Sequence, residues 1–263
     1  MKLKRIHLFE IEDQSWFPDW IRDCMTKLIV VMHGFFGTKD DLANLVAKVL
    51  KQNNSKKIID LCSGGGGPMI DVMKVLEEKH GLKNIPLTLT DLYPNKEFAN
   101  HINQQKNPNF TYQLDSVDAT KISAKEKGLR TMICSFHHMR PKAARQILEN
   151  AQNAQEPICI FEISDNSAPI FAWIIAFPIN FIMCLFVTLK VRPMTWQQII
   201  FTYPIPIIPL CFAWDGAISN SRTYTIKDME TLIQSLPPSN YKWETGAIPG
   251  KPSAKLYLIG NPG

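Results

Sequence analysis

A chain of 263 residues can bury one full core with an elaboration and is too short for several large domains. With 45% hydrophobic and 20% charged residues it is not disordered, and a net charge of +5, spread over lysines such as Lys48, Lys51, Lys56 and Lys57, lacks the basic stripe of a nucleic-acid binder. The six cysteines (Cys24, Cys62, Cys134, Cys159, Cys184 and Cys211) never approach C-x-x-C spacing, which argues against a disulfide framework or zinc site and for a reducing compartment. The segment Met1-Lys2-Leu3-Lys4-Arg5-Ile6-His7 has no long apolar core of a secretory signal, so the expectation is a cytoplasmic domain.

Leu42, Leu45, Val46 and Val49 recur at helical spacing and predict an amphipathic helix over about 38–52, ended by Asn53-Asn54-Ser55. Residues 57–61 read as a short buried strand broken by glycines. Met69, Val72, Met73 and Leu76 form the next helical stripe, which stops near His80-Gly81. A second strand follows at 86–91, then a weaker helix over about 95–105, a third strand at 110–114 and a fourth at 129–136. The next helix carries Ala144, Ile147, Leu148 and Ala151 on one face, and 157–163 is a fifth strand. Thr225 with Asp228 has the spacing of a capping box, and it opens a helix striped by Met229, Leu232, Ile233 and Leu236. Two final strands, about 240–246 and 254–260, join through Pro249-Gly250.

Strands alternating with helices predict a mostly parallel α/β sheet covered on both faces, and the last two strands predict an antiparallel hairpin at one edge. About sixty residues, 164–222, stand outside this alternation. From Asn166 to Trp214 the only charges are Lys190 and Arg192, and either half is long enough to cross a bilayer. The organisation expected is an N-terminal helical cap over 1–54, a core over 55–165, an apolar insertion over 166–222 and a return to the core over 223–263.

Asp60-Leu61-Cys62-Ser63-Gly64-Gly65-Gly66-Gly67-Pro68 follows a strand and precedes a helix, where open α/β sheets bind ligands. Glycines let the backbone approach a ligand closely, with N–H donors near the helix start. The run resembles motif I of class I S-adenosylmethionine-dependent methyltransferases. Gly64 and Gly66 fit the last two motif glycines, and Cys62 replaces the first, which an extended backbone at Cys62 tolerates. The closing hairpin also fits that Rossmann-like fold. A nicotinamide loop fits less well, because G-x-G-x-x-G puts Met69 where its third glycine is needed. Phe136-His137-His138 and Trp214-Asp215-Gly216 resemble a bacterial subgroup of the same methyltransferases.

The resemblance implies S-adenosyl-L-methionine held by Asp60, Cys62, Gly64, Gly66, Asp91 and Asp118. Asp91 ends the second strand, where a carboxylate accepts both ribose hydroxyls; a turn aspartate is the alternative. Asp118 matches the position that contacts the adenine amino group, with Asp115 as competitor. His137 and His138, after the fourth strand, are the candidate general bases, His138 slightly ahead. Catechol-type relatives hold a metal with an Asp-Asn pair such as Asp165-Asn166, plus an acid after the fourth strand. Here His137 stands at that position, so no metal is expected. Trp16, Phe17 and Arg22, in the aromatic and acidic N-terminal segment, are candidates to line the substrate site, with helix packing as the alternative.

The insertion has three readings: two membrane-spanning helices turning at Lys190-Val191-Arg192, a hairpin dipping into one leaflet, or a cap over a greasy pocket or dimer interface. Pro193, Pro204, Pro206 and Pro209 disfavour one straight helix in its second half. The function expected is methyl transfer to a lipophilic small-molecule or lipid acceptor. A non-catalytic, membrane-associated protein that binds the cofactor is the alternative, and a nicotinamide-dependent reductase the more distant one.

Overall fold

The computed structural model describes residues 3–14, 16–105, 107–167, 172–250 and 253–263. Ser15 of the N-terminal segment and 168–171 of the insertion, both covered by the expectations above, lie outside the described residues. Among the described residues the strands are β1 (Ile58–Leu61), β2 (Leu87–Thr90), β3 (Phe110–Tyr112), β4 (Leu129–Ile133), β5 (Ile158–Glu162), β6 (Lys242–Ile248) and β7 (Lys255–Asn261). They form one sheet in the order β3-β2-β1-β4-β5-β7-β6. The first five run parallel, while β7 is antiparallel to β5 and to β6. This is the mostly parallel, Rossmann-like α/β sheet with an antiparallel closing hairpin that the alternation of strands and helices predicts.

Helices cover both faces. On one lie α2 (Thr38–Gln52), α3 (Met69–His80) and α4 (Lys96–Gln104), whose Leu42, Val46, Val72, Leu76 and Ile102 pack with Leu87, Leu89 and Phe161 of the sheet. On the other lie α5 (Pro141–Ala154) and α9 (Ile226–Gln234), where Ile147, Leu148 and Leu232 meet Ile59, Met132 and Ile160. Every residue of β1, β2 and β5 is buried, as a sheet covered on both faces requires. Local signals set the boundaries. Gly81 ends α3 in the left-handed conformation, and the Thr225–Asp228 capping box starts α9 with both of its bonds formed.

A third layer joins the N-terminal cap to the insertion. It contains α1 (Asp19–Phe35) and three helices of the insertion, α6 (Ala172–Thr188), α7 (Trp196–Ile200) and α8 (Ile207–Arg222). Phe17, Ile21, Met25 and Leu28 bury against Cys184, Val187, Ile208 and Phe212. The chain turns after α6 at Lys190–Arg192, and the second half of the insertion is broken between α7 and α8, where Pro204 and Pro206 stand. No helix among the described residues is long and apolar enough to cross a membrane.

Gly128 precedes β4 with φ of +136°, and a Cβ there would meet the Lys57 carbonyl oxygen at 2.7 Å. Both the conformation and the contact demand glycine. Gly128→Ala is expected to lower stability by about 2 kcal/mol, read as a reduced urea midpoint with an unchanged slope.

Candidate active site

The glycine loop leaves β1 under tight constraint. Asp60 is buried, and its carboxylate accepts hydrogen bonds from Thr131 Oγ1 at 2.6 Å and Ser63 Oγ at 2.7 Å. Burial raises its pKa to about 7 against the opposing effect of those hydroxyls. Asp60 therefore braces the loop, with both carboxylate oxygens committed. Cys62 is not extended as expected: its φ is +57°. The cysteine takes a left-handed backbone conformation where the chain turns sharply off the strand, at a steric cost of about 1 kcal/mol.

Gly64, Gly66 and Gly67 also have positive φ, and a Cβ built on Gly64 or Gly67 meets nothing within 4 Å, so these positions border open space. Gly65 and Gly66 lie against protein instead. A Cβ on Gly65 would meet Thr26 of α1 at 2.8 Å, and one on Gly66 would meet the Phe98 ring at 2.6 Å. Thus the N-terminal cap covers part of the loop. Asp91, just beyond β2, accepts from the Gly64 N–H and the Tyr93 N–H, each at 2.8 Å, and Tyr112 Oη donates to the Gly64 carbonyl at 2.8 Å. Asp91 is half-buried, so its carboxylate retains accessible lone pairs beside the loop.

Asp118 lies at a hollow of about 220 Å³ that Thr90, Gln113 and Val117 also line. Its Oδ1 accepts from Thr120 N at 2.9 Å and Thr120 Oγ1 at 2.6 Å, while Oδ2 pairs with Lys121 at 3.3 Å. Its carboxylate thus shapes its own turn first. Asp115 is exposed. Met69, at the position where a nicotinamide loop needs glycine, is fully buried at the start of α3.

Beyond β4 the two histidines have different surroundings. His137 Nδ1 donates to Glu162 Oε2 at 2.8 Å, and the His137 N–H donates to Oε1 at 3.0 Å. Glu162, 2% exposed at the end of β5, thereby fixes the tautomer and leaves Nε2 as an acceptor. His138 Nδ1 lies 2.8 Å from Asp13 Oδ1 and 3.0 Å from Glu10 Oε2. Burial opposes its charge, but the Glu10 and Asp13 carboxylates prevail and hold its pKa well above the ordinary value. A histidine kept protonated is a poor base at neutral pH, whereas His137 is paired through Nδ1 with the Glu162 carboxylate at the end of β5.

Glu10 and Asp13 also meet the buried Arg222, whose Nη1 is 2.9 Å from Glu10 Oε2 and 2.7 Å from Asp13 Oδ2. Burial would raise both acids, yet His138 and Arg222 keep Glu10 at about 2 and Asp13 well below its usual range. Glu10, His137 and His138 each bring one metal-ligand-type atom within 4.8 Å of the others. The Arg222 guanidinium already supplies a cation there, and the two acids balance His138 and Arg222 in charge. Asp165-Asn166 has structural work: Asp165 accepts from the Ser167 N–H, and Asn166 Nδ2 donates to the Ser221 and Thr223 carbonyls.

The N-terminal segment is thereby a strap across α8 and the histidines. Arg5 donates to the His137 and Arg222 carbonyls at 2.6 and 2.7 Å, and Asp215 of α8 accepts from the Ile11 and Glu12 N–H groups at 2.6 and 3.0 Å. Of the residues expected to line the substrate site, Phe17 is buried against α1 and the insertion, and Arg22 donates to the Glu12 carbonyl. Trp16 is exposed. Sequence reasoning singled out neither Glu162 as a histidine partner nor Arg5 and Arg222 as strap anchors. The run of acids at Glu10, Glu12 and Asp13 was the available signal for the strap.

No protein-family model matches the chain, and no curated protein does. Among solved structures it is similar to the methyltransferase domain of bacterial CtHen1, at 11% identity over 85% of this chain and 98% of that one, TM-score 0.48. It is similar to the plantazolicin methyltransferase BpumL in complex with SAH, at 11% identity over 92% and 98%, TM-score 0.49. It is also similar to the mitomycin 7-O-methyltransferase MmcR, at 12% identity over 86% and 54%, TM-score 0.47. The chain spans about half the length of the last.

The strap should loosen as pH rises. Burial raises Glu12 to about 7 and Asp215 to about 6, so their stabilising contribution is complete below pH ~4 and lost as both ionise. His138 adds to the same trend, losing its proton only well above its ordinary value. Limited proteolysis within 3–17 should accelerate between about pH 5 and pH 8. Arg222→Gln, which strands the buried Glu10 carboxylate, should cost about 3–5 kcal/mol in urea unfolding and expose the strap already at low pH.

Proposed function

We propose that the chain is an S-adenosylmethionine-dependent methyltransferase acting on a lipophilic small-molecule or lipid acceptor. The observation that carries this reading is the glycine loop at the carboxyl end of β1, pinned to Asp91 at the end of β2, in a sheet that closes with the antiparallel β7. The residues fit the cofactor. Positive-φ glycines border open space at 64 and 67, and Asp91 keeps accessible lone pairs for ribose hydroxyls. Asp60 and Cys62 act through the loop they shape. An adenine contact from Asp118 competes with the bonds Asp118 makes to Thr120 and Lys121.

When bound, S-adenosylmethionine supplies a methyl group made electrophilic by its sulfonium. The chain's task is to hold acceptor and methyl in line and to exclude water. His137 Nε2 accepts the proton released by a hydroxyl or ammonium acceptor, and Glu162 stabilises the imidazolium through Nδ1. The strap and the insertion close this region from solvent. The insertion's apolar surface supports the lipophilic acceptor, and membrane contact through 166–214 would deliver it.

Mass spectrometry of a lipid extract incubated with the protein and S-adenosylmethionine tests the reading. A species heavier by one methylene is expected; tight cofactor binding with no product from any acceptor contradicts turnover. His137→Ala should lower kcat roughly 100- to 10,000-fold with unchanged affinity for S-adenosylhomocysteine. Glu162→Gln should lower kcat less and leave KM near the wild-type value. A matching loss of cofactor affinity would reduce both residues to structural roles.

A further inference from the structure

Helix α6 has one buried side and one bare side. Cys184 and Val187 pack toward α1, while Ile175, Ile179, Ile182, Phe186 and Leu189 are each more than half exposed. Those five positions follow a 4-3-4-3 spacing, which sets the first four in a single stripe along the helix, with Leu189 in the turn just past its end. Trp196 (63% exposed) and Tyr203 (42%) extend the bare surface beyond the turn. An apolar surface of this extent marks a partner.

Charge identifies the partner. No Asp or Glu occurs between Asp165 and Asp215, and the charges within that stretch are Lys190 and Arg192, both exposed at the turn that follows the stripe. Arg192 also donates to the Leu189 and Val191 carbonyls, which holds its guanidinium at the end of the stripe. A second copy docked on this face offers no carboxylate from the segment to pair these cations. An anionic lipid surface offers both what the stripe needs and what the cations need.

Packing limits the depth. The seventeen described residues of α6 span about 26 Å against the ~30 Å hydrocarbon core, Pro178 stands inside the helix, and one side of it is held against α1. Trp196 and Tyr203 are side chains that settle at the headgroup level.

We propose that this face docks on an anionic bilayer and lies in one leaflet without crossing it, with Lys190 and Arg192 at the headgroups. The inference rests on the membrane contact read above and adds the lipid charge and the depth. It does not depend on methyl transfer.

Flotation of the full chain with vesicles tests it, comparing pure phosphatidylcholine with a phosphatidylcholine–phosphatidylglycerol mixture. Partition into the mixed vesicles should be roughly 10- to 30-fold stronger and should fall with salt. The double variant Lys190→Gln, Arg192→Gln should bind both vesicles at the neutral level. Ile182→Asp with Phe186→Asp should float with neither, while melting like the wild type because both side chains are exposed. Equal binding to both vesicles overturns the anionic partner and spares membrane contact. No flotation overturns both. A concentration-dependent dimer in light scattering, lost in the Ile182→Asp, Phe186→Asp variant, assigns the face to a second copy and overturns the proposal.

Discussion

The buried Asp60 carboxylate takes hydrogen bonds from Thr131 on β4 and Ser63 in the glycine loop, while its own carbonyl accepts from Thr90 Oγ1 at the end of β2. One residue thus joins three neighbouring strands at the point where the chain must leave the sheet. Burial works against its charge, which is why its pKa rises to about 7. Fixing the exit of β1 fixes the loop, and the loop then accepts left-handed backbone at Cys62 and at three glycines. Asp91 and Tyr112 hold it from the side of β2 and β3.

The other half of the site is assembled from distant parts of the chain. Glu10 and Asp13 come from the strap, His138 from the turn after β4 and Arg222 from the end of α8, and their charges compensate where water is scarce. The insertion is therefore tied to the histidine network at one end and presents its bare apolar stripe elsewhere. His137, set beside this network but paired with Glu162, is the imidazole with a free acceptor nitrogen. Two adjacent histidines of similar sequence context differ in surroundings because one faces a single carboxylate from the sheet and the other faces the strap.

Periodicity made the sheet, its flanking helices and the closing hairpin legible, because each is specified by residues close in sequence. The bounds of α2 and α3 and the capping box of α9 follow from stripes and caps within one or two turns. Cys62 shows where that reasoning stops. Its side chain suggests extended backbone, but the turn off β1 dictates the angle. Glu10 and Arg222 are more than 200 residues apart, and no local pattern announces that they meet. Glu162 falls within the predicted fifth strand, but its tie to His137 depends on β4 and β5 being neighbours. In the insertion, composition revealed the apolar character and the prolines the break, while the buried and bare sides emerge only once α1 is packed against it.

The central claim is that the loop from Asp60 to Gly67 was built for S-adenosylmethionine rather than for a dinucleotide. Titration calorimetry of the protein with S-adenosylhomocysteine and, separately, with NADH addresses it most directly. The account predicts saturable one-to-one binding of S-adenosylhomocysteine, lost in Asp91→Ala, and no heat of binding with NADH. Saturable NADH binding without S-adenosylhomocysteine binding would contradict it.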